Sequence, residues 1–242
     1  MALNASKLPK TGGNRKPVDP LEPGTYPARV VQIITLGLQE QQPYKGEPKP
    51  PVQELYVTYE LLDEFMKDEE GNDILDKPRW LSENFGFHSL DSDLAKSTKR
   101  YFALDPEKEH GGDWAALLGA PCMVTVIQKP SKKDPEIIYN NITGVSSMRA
   151  KEAAKAPDLV NEGKVFDIDE PDMEIFQSLP EWLQDKIKGN LDFEGSALQR
   201  ALEGVQKPAK DSGRGDTQKV KKATSEAAES PSDASDGDEE DW

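Results

Sequence analysis

The stretch Val52–Phe65, VQELYVTYELLDEF, repeats with period two: Leu55, Val57, Tyr59 and Leu61 fall on one parity, Tyr56, Thr58 and Glu60 on the other. Successive side chains of a strand point to opposite faces, so this spacing predicts a strand with one face in a core and one turned outward. A helix would scatter the same apolar residues around its axis. Thr25–Leu36, TYPARVVQIITL, is full of β-branched residues and follows the turn signal Pro23-Gly24; it predicts the first strand. Between the two lies Gly37–Pro51, with four prolines and two glycines, which is expected to be a long loop. A sheet built on these strands is the frame into which the rest must fit.

Further along, the acidic KDEEGND predicts a turn and Arg79–Phe87 (RWLSENFGF) a third strand. Ser92–Leu104 (SDLAKSTKRYFAL) reads as the clearest helix, capped by Ser92 or Asp91. At 100° per residue Leu90, Leu94, Tyr101 and Leu104 gather on one side, with Lys96, Lys99 and Arg100 opposite. A short helix is expected at Asp113–Leu118, closed by Gly119. Pro121–Lys129 and Glu136–Met148 predict two more strands, joined by PSKKDP as an exposed hairpin tip. Five strands with a helix inserted late, and no βαβ alternation, predict a mainly β domain with some α: a small Greek-key barrel rather than a doubly wound sheet.

The composition shifts on both sides of that domain. Residues 1–20 are rich in Lys, Gly, Pro and Asn and are expected to form a flexible arm, leaving residues 21–150 for the barrel. Residues 151–203 are linker-like, then helical: in Leu179–Leu191 (LPEWLQDKIKGNL) Pro180 stands at the start and Trp182, Leu183 and Ile187 form an apolar stripe. That helix should pack on the barrel or on a partner, which leaves the oligomeric state open. Residues 204–242 have almost no large apolar side chains, cannot offset chain entropy by burial, and are expected to be disordered.

Charge and motifs exclude several classes. The net charge of -15 argues against general attraction to polyanions, but Glu226–Trp242 alone carries eight acidic and no basic residues, so without it the charge is -7. Lys77–Lys151 holds 11 Lys and Arg against 9 Asp and Glu. Any polyanion site must therefore be a local basic strip. Cys122 is the single cysteine, which rules out an internal disulfide and fits a reducing compartment. The N-terminus lacks the apolar core of a signal peptide and no run approaches a membrane span, so the expected location is the cytoplasm. His88 and His110 stand far apart in sequence, and no HExxH, GxSxG, Walker or CxxC pattern occurs. The expectation is a protein that is not an enzyme and uses no cofactor or metal.

Several stretches together resemble one family: LEPGTYPARVVQI, QPYKGEPKPP, VTYELLDEF, DKPRWLSENF, SDLAKSTKRYFALDP, AAKAPDLVN and LPEWLQDKIKGNLDFEG, in that order over residues 21–202. They are similar to bacteriophage single-stranded DNA-binding proteins with an OB-fold core and an acidic tail. The resemblance implies an OB-fold-like five-stranded barrel and sequence-independent binding of single strands in phage DNA replication, recombination or repair. It also implies an acidic tail that contacts replication proteins. Many members end in Phe, whereas this chain ends in Trp242.

Single-strand binding of this kind needs cations along the phosphates and aromatic faces for the bases. The candidate cations are Lys45 and Lys49 in the Pro-rich loop, Arg79, the trio Lys96, Lys99 and Arg100, and Lys129, Lys132 and Lys133 at the hairpin, whose tip flanks the groove in OB-folds. The candidate platforms are Tyr44, Tyr56, Trp80, Phe85, Phe87 and Tyr139. For Trp80, Phe85 and Phe87 a place in the core is an equal alternative, and a trio such as Lys96, Lys99 and Arg100 is more often simply a solvated helix face. Tyr59 and Tyr101, on apolar faces, are assigned to the core. In the tail, Asp236, Asp238, Glu239, Glu240 and Asp241 can simply confer solubility, or they can compete with DNA and meet basic residues on a partner while Trp242 fills an apolar pocket. The alternative to DNA binding is an acidic adaptor or DNA mimic that binds a basic protein through net charge.

Overall fold

A computed structural model describes residues 19–131 and 135–204. Its first three strands are long: β1 (Gly24–Gln39), β2 (Val52–Lys67) and β3 (Asp73–Gly86). Helix α1 (Lys96–Leu104) and a 3-10 turn at Ala115–Leu117 precede β4 (Pro121–Pro130) and β5 (Ile138–Ser147). Then come α2 (Ala150–Ala153), a three-residue β6 (Lys164–Phe166), α3 (Met173–Ser178), α4 (Glu181–Lys188) and α5 (Ala197–Leu202). The fold is mainly β with short helices, as the strand patterns require.

The strands form one sheet in the order β3-β2-β1-β4-β5, antiparallel throughout, with β6 added parallel to β1. One edge of β1 is shared: Gly24–Arg29 pair with β4, and Gln32–Ile34 pair with β6. Irregularities at Val30/Gln32 and Thr35/Gly37 interrupt the β1–β2 register, and such bulges bend a strand. The sheet is not a closed five-stranded barrel: β3 and β5 come within 8 Å, Cα to Cα, but form no ladder among the described residues. Helix α1 packs against β3, β4 and β5 beside that seam.

Two apolar cores lie on opposite sides of β1. The inner core takes Val30, Ile33, Leu55, Val57, Tyr59 and Leu61 from the strands, with Tyr101, Trp114 and Leu117 closing over them. The outer core takes Ile34 and Leu36 from β1 and covers them with Phe166, Phe176, Leu183 and Ile187. Burial on both faces explains why β1 reads as an unbroken β-branched run while β2 alternates. The outer core closes tightly at Gly37, whose φ is +75° and where a Cβ would stand 2.7 Å from Asn190 Cγ. Only glycine fits both the backbone angle and the space.

Three local expectations need correction. Helix α1 starts at Lys96, not Ser92, and its N-cap, Ala95, offers no side-chain bond. The preceding residues are held in turns instead, with Ser92 and Ala95 amides bonded to the Ser89 and Ser92 carbonyls. Leu94 consequently leaves the apolar face and is exposed. In α4, Leu183 and Ile187 are buried as expected but Trp182 is 55% exposed. This helix packs on β1 of its own chain. Residues 1–18 of the expected arm (1–20) and residues 205–242 of the expected tail (204–242) lie outside the described ones.

Candidate functional site

The outer face of β2 and β3 is assembled by register. Leu55, Val57, Tyr59 and Leu61 point inward, so Glu54, Tyr56, Thr58 and Glu60 point outward, opposite Gly86, Asn84, Ser82 and Trp80 of β3. Two of these four are carboxylates, and both are occupied. Glu54 Oε2 receives Lys186 Nζ at 2.6 Å and Asn84 Nδ2 at 3.1 Å. Glu60, 1% exposed, accepts from Trp80 Nε1 at 3.0 Å, from the Val160 and Asn161 amides at 2.6 and 3.3 Å, and from Asn161 Nδ2 at 2.7 Å. Thr58 Oγ1 and Ser82 Oγ bond at 3.0 Å. What this face turns outward is therefore rings and neutral polar groups: Tyr56, half-buried against the outer core, the exposed Trp80, and Trp182 from α4, set edge-on to Tyr56 at 5.6 Å between centroids.

The two connections next to this sheet carry lysines beside rings. In the β1–β2 connection, Tyr44 and Glu47 exchange backbone hydrogen bonds of 2.9 Å across Lys45 and Gly46, which have φ of +50° and +90°. Two successive positive φ values make the tight primed type of turn. Its strand-like stem presents the exposed Tyr44 ring, with Lys45 and Lys49 Nζ 5.0 and 4.9 Å from its centroid. In the β4–β5 hairpin, Lys129 pairs in register with Tyr139, which is 54% exposed. Lys132 and Lys133 lie outside the described residues.

Other candidates sit elsewhere. Phe85 is buried in the inner core, its ring 5.8 Å from Trp114, so it is no stacking platform. Arg100 is also inside: Nε and Nη2 meet Glu83 Oε1 and Oε2 at 2.8 and 3.2 Å. Lys96 Nζ meets the same carboxylate at 2.8 Å, and the Tyr59 hydroxyl donates to it at 3.0 Å. A helical wheel put Arg100 outside because it cannot register that β3 supplies a buried partner. Only Lys99 of that trio is exposed with no ion pair among the described residues. Arg79 is half-buried beside Glu64, Tyr26 and Asp19; burial pushes its guanidinium below the usual value, against the pull of those neighbours. Phe87 is exposed but stands edge-on to Trp114 at 6.3 Å, at the end of the inner core.

Sequence reasoning missed Glu60, Lys186 and Asn161 altogether and placed Trp182 on the wrong side of α4. Their roles arise from the return of the C-terminal segment across the sheet, for which no local pattern exists. Burial alone would raise the Glu83 carboxyl, but the hydrogen bonds and charges of Arg100 and Lys96 outweigh it and hold it below its ordinary value. Burial pushes the Cys122 thiol up to about 12, helped by the nearby Glu83 charge. A thiol so placed is a packing group, not a nucleophile. Among the described residues no group of three or more His, Cys, Asp or Glu could hold a metal ion, and no helix is long and apolar enough to cross a membrane.

Fold and site together define a mainly β chain with rings displayed on one sheet face and in two neighbouring connections. No protein-family model matches this chain, and no curated protein matches it.

Proposed function

We propose that the protein binds single-stranded DNA without sequence preference, through an OB-like core. The observation that carries this reading is a coincidence of places. An OB-fold is a partly open five-stranded Greek-key barrel that binds oligonucleotides on the face of its second and third strands and in the loops joining strands one to two and four to five. Those are the places where this chain displays Tyr56 and Trp80, then Tyr44 with Lys45 and Lys49, then Tyr139 with Lys129. Stacking is worth ~1–3 kcal/mol per base and tolerates any base, because every base has a π face. The strand order and the helix beside the β3–β5 seam support the same architecture.

The resemblance to phage single-strand binders extends the proposal to replication, recombination or repair in the host cytoplasm. There the acidic run ending in Trp242 competes with DNA for the basic groups and then recruits replication proteins. The test is a titration of full-length protein, and of protein ending at Ser235, against oligo-dT and a duplex of equal length at two salt concentrations. Oligo-dT should bind more tightly than duplex, and log affinity should fall with log salt at about -0.7 per neutralised phosphate. Truncation should tighten binding at low salt. Failure of both proteins to bind oligo-dT sinks this reading and favours an acidic adaptor for a basic partner.

A further inference from the structure

Arg29, Glu60 and Trp80 are cross-strand neighbours, one each on β1, β2 and β3, and form a row across the outer face. The first two grip the same returning segment by opposite ends of its peptide groups. Arg29 donates to the carbonyls of Pro157 and Ala156 at 2.7 and 3.0 Å, and to that of Gly119 at 2.7 Å. Glu60 accepts the amides of Val160 and Asn161. The same Glu60 carboxylate holds the Trp80 indole. With four donors converging on it, a move of either the strap or the indole leaves a buried charge short of a partner, which is costly.

We infer that Glu60 is a positioning residue that sets the Trp80 ring for base stacking and ties that ring to the docking of the 156–161 strap, so that ligand binding and strap closure are one coupled event. Glu60 makes no contact with the ligand; it acts through Trp80. The stacking half rests on the function proposed above, while the tie between ring and strap exists without ligand. Coupling is reciprocal: oligo-dT stacked on the held ring slows exchange of the Val160 and Asn161 amides, and loosening the strap weakens oligo-dT binding.

The experiment is a double-mutant cycle with Glu60→Gln and Trp80→Phe in the full chain. It is read by oligo-dT affinity, by hydrogen exchange at Val160 and Asn161, and by the Trp80 indole NMR signal. Glu60→Gln should move that signal and lower affinity about five- to tenfold. In a Trp80→Phe background it should lower affinity no further. An equal loss in both backgrounds, or no loss in either, overturns the stacking half. Without DNA, Trp80→Phe should speed exchange at Val160 and Asn161; unchanged exchange overturns the tie itself. If the wild-type chain binds no oligo-dT, the functional proposal falls and the exchange result still decides the tie. Should Glu60→Gln not fold, Asn161→Ala removes a single bond to the carboxylate; an unmoved Trp80 indole signal in that variant also overturns the inference.

Discussion

Glu83 is the most consequential single side chain away from the outer face. It is buried, yet satisfied by Arg100, Lys96 and the Tyr59 hydroxyl. Its carboxyl is held below its ordinary value of 4.5, so its contribution to stability is fully present above about pH 4.5 and is lost as pH falls through the folded-state value. Urea midpoints measured from pH 7 down to pH 3 should therefore drop more steeply for the wild type than for Glu83→Gln. Removing Arg100, as in Arg100→Ala, should cost about 3 kcal/mol at neutral pH, because the buried carboxylate loses its two-pronged guanidinium partner and keeps only Lys96 and the Tyr59 hydroxyl. Cys122 offers a check on the same core: a thiol reagent at pH 8 should leave it unmodified in the native protein and label it once the chain is unfolded in urea.

At the scale of elements, the informative strand is β1. It lines two cores, bends at two irregular points, and exchanges one neighbour for another along a single edge. The outer core makes α4 part of the folded unit, so Leu183→Ala or Ile187→Ala should cost about 2–5 kcal/mol in urea unfolding. The same variants should make the segment after Pro157 more sensitive to protease. Trp182→Ala should cost far less, since that ring is largely exposed, and should instead reduce any contribution of the Tyr56–Trp182 pair to ligand binding. Elements whose patterns repeat over many residues were legible in advance: β1, β2 and β4 lie close to their expected places. The start of α1 was not, because the Ser89 hydroxyl accepts the Asp91 amide in a turn, and Ser and Asp side chains serve turns as readily as helix caps.

For the whole molecule, an acidic chain that presents lysines in two exposed connections poses a question of balance. A net charge of -15 slows encounter with a polyanion, while Lys45, Lys49 and Lys129 sit beside the rings that, in the function proposed above, would hold the strand once it arrives. Replacing Tyr44 or Trp80 with Ala should each weaken oligo-dT binding by about 1–3 kcal/mol with little change in the salt slope, whereas Lys45→Ala should flatten the slope by about 0.7. The two effects are separable in one salt titration.

Periodicity and composition determined that this chain builds a β sheet with one alternating and one continuously β-branched strand, and that its lysines and rings recur in the two connections between strands. Those are local properties, written by the two-residue repeat of a strand and by the residues turns require. Tertiary structure alone decided that Arg100 and Phe85 go inside, that Glu60 becomes the meeting point of three segments, and that the sheet's outer face is crossed by the returning C-terminal segment. Each of those outcomes depends on a partner remote in sequence, such as Glu83 for Arg100 or Asn161 for Glu60, and a charged or aromatic side chain has no preferred side until that partner is in place.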